Sequence, residues 1–288
     1  MDNTNDQFYS EAFKRNRGLI SDEDQAKLRK ARVAIAGLGA AGGVSLTTLL
    51  RLGVEKFNIA DNDVFDTVNH NRQAGAFVST KGQPKVEVMA KIAQDINPNV
   101  DIRKFDKGIS PENIDEFLKD VTVVMDGMDF FNMDARLLLY RKAREHKIPV
   151  VGSAPIGFGS ALHTFTPDGM SFEEYCDIRE SQSLEEKLLR FGIGLGPSLL
   201  QRSYYPMKVV NFKDKAAPSS ILSISLVGNL NGTQAFKVIT GKKYFSAPHS
   251  MHFDPYVGEL RKVYIKRGNK SLMQRLKIWY IKKKLKIA

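Results

Sequence analysis

Residues 37–42, Gly-Leu-Gly-Ala-Ala-Gly, carry the G-x-G-x-x-G spacing of a backbone turn that can cradle an anion. Gly37, Gly39 and Gly42 let the chain turn tightly and approach a phosphate; Ala40 and Ala41 open a helix whose free N–H groups and positive dipole end face the same anion. Asp61 follows Gly37 by 24 residues, close to the interval at which an acid accepts hydrogen bonds from a ribose. Farther on stand Arg72, Lys85, Asp126 and Asp129. A triphosphate needs cations and a metal-holding carboxylate; a hydride transfer needs neither. The glycine spacing alone would equally suit an NAD(P)-dependent oxidoreductase. The arginine, the lysine and the acid are what favour ATP.

Those residues act together only if the chain brings them to one place. Residues 32–36 (RVAIA) read as a short buried strand, 44–52 as the helix after the glycine turn, and 57–61 as a second strand ending in its acid. Residues 62–80 are a polar connection. Lys85 to Ile96 reads as a helix stopped by Asn97-Pro98. Strands are expected at 100–105, 121–126, 148–152 and 161–165, with helices at 111–118 and 134–146. Strand–helix alternation at this spacing predicts a Rossmann-like α/β fold, a mainly parallel sheet with helices on both faces. In such sheets the strand ends gather at one crevice. The pattern is less regular after 155. A long apolar helix at 219–240 ends at Gly241, and 261–266 alternates like an antiparallel strand. The organisation expected is an N-terminal helical arm (1–30), an ATP-binding Rossmann-like domain (31–168), a smaller antiparallel and helical C-terminal portion (169–268) and a basic tail (269–288).

The 288 residues are 42% hydrophobic and 26% charged, ordinary for a globular protein. One cysteine excludes an internal disulfide framework and a multi-cysteine zinc site. The start of the chain is polar, without a signal-peptide pattern, and a cytoplasmic setting is expected. The net charge of +11 is uneven. Seven of the 43 Lys/Arg lie in residues 270–288, which hold no acid.

Taken in order, Arg15-Asn16-Arg17, the glycine turn, Asp61-Asn62-Asp63, Asn69 with Asn71-Arg72-Gln73, Gly82 to Glu87 (GQPKVE) and Asp126 to Asp129 resemble the ThiF/MoeB/HesA family, relatives of ubiquitin-activating enzymes. The resemblance spans about residues 11–268. It implies ATP-dependent adenylation of a carboxylate, with release of pyrophosphate. The carboxylate is expected at the C-terminus of a small carrier protein or peptide, or on another small substrate. It also implies roles: Gly37, Gly39 and Gly42 around phosphates, Asp61 on the ribose with Asp63 close by, and Asn69, Arg72 and Lys85 on the triphosphate. Asp129 would support Mg²⁺ near the α-phosphate. Arg17, before Arg15, would reach into the other site of a homodimer. A non-catalytic nucleotide-binding subunit of an activating heterodimer is a further alternative.

Each residue has a plainer alternative. Asp61 and Asp63 suit turn-making acids, Asp129 a helix N-cap, and Arg72, Lys85, Arg15 and Arg17 solvated cations. Many relatives bind a structural zinc through two Cys-x-x-Cys pairs. This chain has Cys176 alone, so no zinc is expected, and flanking Glu173, Glu174 and Asp177 argue for an inert thiol. Residues 177–220 do not follow the family pattern. Gly157-Phe158-Gly159 suits either the wall of the carboxylate's channel or a plain turn. The tail mixes lysines with Leu272, Leu276, Ile278, Trp279, Ile281, Leu285 and Ile287. Packing of its apolar side on the protein's own body is favoured over contact with nucleic acid or an anionic membrane.

Overall fold

Strand β1 (Arg32–Ala36) is buried at every position, as an apolar strand flanked on both edges should be. It lies between β2 (Lys56–Ala60) and β4 (Val123–Asp126), parallel to both. The computed structural model describes residues 3–205 and 217–285. Its sheet has eight strands in the order β3-β2-β1-β4-β5-β6-β7-β8, where β3 is Asp101–Phe105, β5 Val150–Ile156, β6 Gly159–Phe165, β7 His249–Asp254 and β8 Glu259–Tyr264. The first five run parallel and the last three are added antiparallel. The expected α/β architecture is therefore present, and its antiparallel strands continue the same sheet.

The chain leaves β1 for β2 and β3 on one side, then crosses to β4 on the other. That reversal makes the C-terminal ends of β1 and β4 the switch point where ligands of open α/β sheets bind. Arg32 fastens the opposite end: its guanidinium donates to Asn58 Oδ1 at 3.1 Å and pairs with Asp101.

Helices cover both faces. One core joins α3 (Ala40–Leu52), α4 (Lys85–Ile96) and α9 (Ile221–Thr240) to the sheet. The other gathers α5 (Ile114–Phe117), α6 (Met133–Glu145), α7 (Phe172–Cys176) and α8 (Leu184–Leu195). In the arm, α1 (Asn3–Ala12) and α2 (Asp22–Lys30) dock through Tyr9, whose hydroxyl donates to Gly53 O at 2.7 Å, and through Ser21, which caps α2 by accepting from Asp24 N. Helix α9 lies close on α3 because Gly228 and Gly232 face Val44 and Thr48; a Cβ at either glycine would meet those side chains at 2.7 Å. Buried Asn231 adds a donor to Ser45 Oγ at 2.9 Å.

Three local expectations change. Residues 111–118 form only the single turn α5, because Asn113 accepts from Ser110 N and donates to Gly108 O, building a turn where the helix was expected. The N-cap position of α6 is Asn132, whose side chain makes no capping hydrogen bond, and Asp129 accepts from Phe131 N at 2.9 Å within the preceding loop. The alternating strand near 261–266 begins two residues earlier, and its partner β7 was not read from the sequence.

In the tail, α10 (Leu272–Leu285) buries Ile278 and Ile281 against Leu189 and Ile193 of α8. The side chain of Leu285, and Lys286 and Ile287, lie outside the described residues. Among the described residues no helix is long and apolar enough to cross a membrane.

Candidate functional site

The glycine turn leaves β1 with Gly37 at φ +84°, a left-handed conformation that favours glycine. A Cβ on Gly42 would stand 1.7 Å from Gly37 O. The loop after β4 closes on the same turn, so that a Cβ on Gly127 would stand 2.6 Å from Gly42 Cα. Three backbones thus meet where no side chain fits. Gly39 is the N-cap of α3 and has no side chain to cover the first amides of the helix. Those amides, from Ala40 and Ala41 onward, remain for an anion.

Asp61 stands at the end of β2. Its Oδ2 accepts from Leu38 N at 2.6 Å and its Oδ1 from Asp63 N at 2.8 Å. Burial pushes its carboxyl above the usual range, opposed by Lys85 and by those two amides. Each oxygen retains a lone pair, the requirement for gripping ribose hydroxyls.

Lys85 opens α4 and is 6% exposed, so the solvated-lysine alternative does not hold. Its Nζ is 3.0 Å from Asp63 Oδ2, and its backbone N donates to Asp63 O at 2.9 Å. Arg72 is half-buried: its guanidinium donates to Val68 O at 2.9 Å and Asn71 Oδ1 at 2.8 Å. Burial draws its basicity down, and the nearby Asp129 carboxylate opposes that shift. Gln73 reaches over Gly39, with its Nε2 3.6 Å from where a Cβ would be. Asn69 is buried and turned into its own 3-10 turn, accepting from Asp66 N at 3.0 Å. The 62–80 connection thereby lays Gln73 beside the glycine turn and brings Arg72 near Asp129.

Asp126, at the end of β4, gives its carboxylate to Arg136 Nε at 2.9 Å and to the Tyr140 hydroxyl at 3.1 Å. Arg15 and Arg17 are exposed at the end of the arm, around the 3-10 turn Lys14–Asn16, and among the described residues neither pairs with an acid.

Sequence reasoning missed Arg136. It is 2% exposed and donates to Asp126, Met128 O (2.9 Å) and Asp129 O (3.0 Å), so it staples the loop that presents Gly127 and Asp129. Its guanidinium also covers the Phe191 ring at 4.5 Å, tying the loop to α8. The available signal was a cation among Met133, Leu137 and Tyr140 on the apolar side of α6.

Cys176 is buried, and burial rather than neighbouring acids pushes its thiol well up, opposed by the charge of Arg136. Gly157-Phe158 forms the β5–β6 hairpin turn at the C-terminal end of the parallel strands, as the glycine turn does. There Phe158 stacks on Tyr204 at 5.4 Å, and the Tyr204 hydroxyl donates to Asp254 Oδ2 at 2.5 Å. A depression of about 540 Å³ at the N-terminal ends of β4 and β5 is lined by Asp115, Glu116, Asp120 and His146 with Lys119, a poor set for phosphates.

Residues 1–288 include a 137-residue stretch 31% identical to the tRNA threonylcarbamoyladenosine dehydratase of Haemophilus influenzae, covering 47% of this chain and 52% of that protein. A 150-residue stretch is 30% identical to the SAMP-activating enzyme E1 of Haloferax volcanii, covering 52% and 55%. The chain thus spans about half the length of the curated relatives it matches. Among solved structures, that of PaaA superposes with a TM-score of 0.67 at 19% identity, covering 92% of this chain and 75% of the other. The ThiF family model matches residues 13–273, and the chain belongs to the ThiF family.

Proposed function

We propose that this protein adenylates a carboxylate with ATP, and that the carboxylate ends a small carrier protein or peptide. One observation carries the reading. A buried lysine paired with Asp63 and a half-buried arginine near Asp129 stand on the loops around a glycine turn at the switch point of the sheet. Of the two curated relatives, the SAMP-activating enzyme E1 supports a carrier-protein substrate, while the other is named for a modified tRNA nucleoside.

In this reading the amides of Gly39 to Gly42 hold phosphate oxygens and Asp61 holds the ribose. Lys85 exchanges Asp63 for a phosphate oxygen, and Arg72 with Asn69 faces the outer phosphates. The substrate carboxylate attacks the α-phosphorus, a P–O bond to it forms, and the bond to the β-phosphate oxygen breaks as pyrophosphate leaves. Charge accumulates on phosphate oxygens, so positioning and cationic stabilisation carry the catalysis. No general base is required, because a carboxylate is already ionised at neutral pH.

Asp129 is exposed and uses Oδ1 for Phe131 N. Its other oxygen suits Mg²⁺ of the common kind, held by one protein carboxylate and mainly by the nucleotide's own phosphates. Such an ion would neutralise charge on the leaving pyrophosphate. Asp126 and Arg136 position the loop that carries Asp129. A homodimer in which Arg17 of the partner subunit completes the site, in the cytoplasm, is part of the proposal.

The test is ATP–pyrophosphate exchange with candidate C-terminal carboxylates. Exchange by the wild type, and a loss of at least about a hundredfold in folded Arg72→Ala and Lys85→Ala, is expected from removing charge-assisted phosphate contacts. Wild-type exchange in either folded variant would overturn the assignment.

A further inference from the structure

Helix α10 has two apolar faces. The inner one, Ile278 and Ile281, packs on α8, with Gln274 buried on the same side, and Lys277 Nζ donates to Pro197 O at 2.6 Å. On the side away from that contact the helix exposes Leu272, Met273, Leu276, Trp279 and Tyr280, each more than half exposed. At 100° per residue these five fall within an arc of about 120°. Lys283 lies inside that arc, Lys284 on one border and Arg275 on the other, all exposed. Lys283 Nζ lies 5.6 Å from the Trp279 ring centroid and Lys284 Nζ 5.8 Å from that of Tyr280.

We propose that this outer face of α10 docks on an anionic lipid surface. An apolar wedge bordered by cations, with an indole and a phenol at its level, is how a helix lies in a membrane interface. The charge argues the occupant: residues 270–288 hold seven Lys/Arg and no acid. A second copy of the same helix would oppose cation to cation. A nucleic acid would satisfy the cations and leave Leu272, Met273 and Leu276 in water. A membrane answers both, taking the apolar side chains below the headgroups and the cations among the phosphates. The helix does not cross, since its inner face is occupied by α8. The inference stands apart from the nucleotide site, because none of these residues belongs to it.

Flotation of the full-length protein with phosphatidylcholine vesicles, pure or with about one-third phosphatidylglycerol, tests it. Binding is expected only to the anionic vesicles, and it should fall at least tenfold in about 0.5 M salt, where screening reaches a few ångströms. Leu276→Ser/Trp279→Ser should abolish it, and Arg275→Gln/Lys283→Gln/Lys284→Gln should weaken it at least tenfold. These side chains are exposed, so circular dichroism and pyrophosphate exchange should match the wild type. Equal binding to neutral vesicles, or flotation undiminished in the Ser variant, overturns the proposal. So does absence of flotation, whether accompanied by RNA retention or by a shift from dimer to monomer on Trp279→Ser.

Discussion

Gly37 and Gly127 stand so close that a Cβ on either would lie 2.6 Å from the other's carbonyl oxygen. The glycine turn and the loop after β4 therefore form one packed unit. Gly127→Ala should separate them, cost about 1–3 kcal/mol through overpacking, and weaken ATP binding at least about tenfold through misplacement of the amides. Calorimetric titration with ATP and a thermal melt check this. Unchanged affinity and melting temperature would show that the contact is dispensable.

Arg136 with Asp126 makes a second prediction. Removing one partner of a buried ion pair leaves the other uncompensated, so Arg136→Leu should destabilise by about 3–5 kcal/mol. Arg136→Leu/Asp126→Leu should recover part of that loss. Urea unfolding of both single variants and the double gives the coupling. A coupling near zero would mean that the staple acts through the Met128 and Asp129 carbonyls alone.

A third concerns acid. Burial lowers the basicity of His163 and His252, each to about 4 from the ordinary 6.5. Between those values the unfolded chain binds protons that the folded chain refuses, so stability falls as pH drops from about 6.5 towards 4. A loss of a few kcal/mol is expected across that window, and His163→Leu should about halve it. Urea midpoints at pH 7 and pH 5 that coincide for the wild type would sink the prediction.

Cys176 supplies a fourth. A thiol whose basicity is raised by burial has almost no thiolate at pH 8. Iodoacetamide should leave it unlabelled in the native protein and label it in urea, as read by mass spectrometry. Cys176→Ala should retain pyrophosphate exchange; a lost exchange would return the cysteine to the chemistry.

The parallel half was legible because its signals are local. β1 is apolar throughout, α4 is bounded by Pro84 and Asn97, and α9 by Ser220 and Gly241, whose φ of +73° ends the helix. The site's charged residues were legible as types and spacings. What stayed hidden depends on contacts distant in sequence. Strand β7, His249 to Asp254, alternates weakly and owes its place to pairing on both edges. Arg136 looks like a surface arginine until Asp126 and two carbonyls converge on it. The tail was read as having one apolar side, whereas its apolar residues divide between two.

The fit of Gly228 and Gly232 against Val44 and Thr48 bears on how the protein is made. The helix that would aim its amides at ATP is held in place by a segment translated about 180 residues later. A chain still emerging from the ribosome carries the whole glycine turn yet lacks its brace. Affinity for the nucleotide should therefore arise late in synthesis, once Thr240 has left the exit tunnel and the two helices can close on each other.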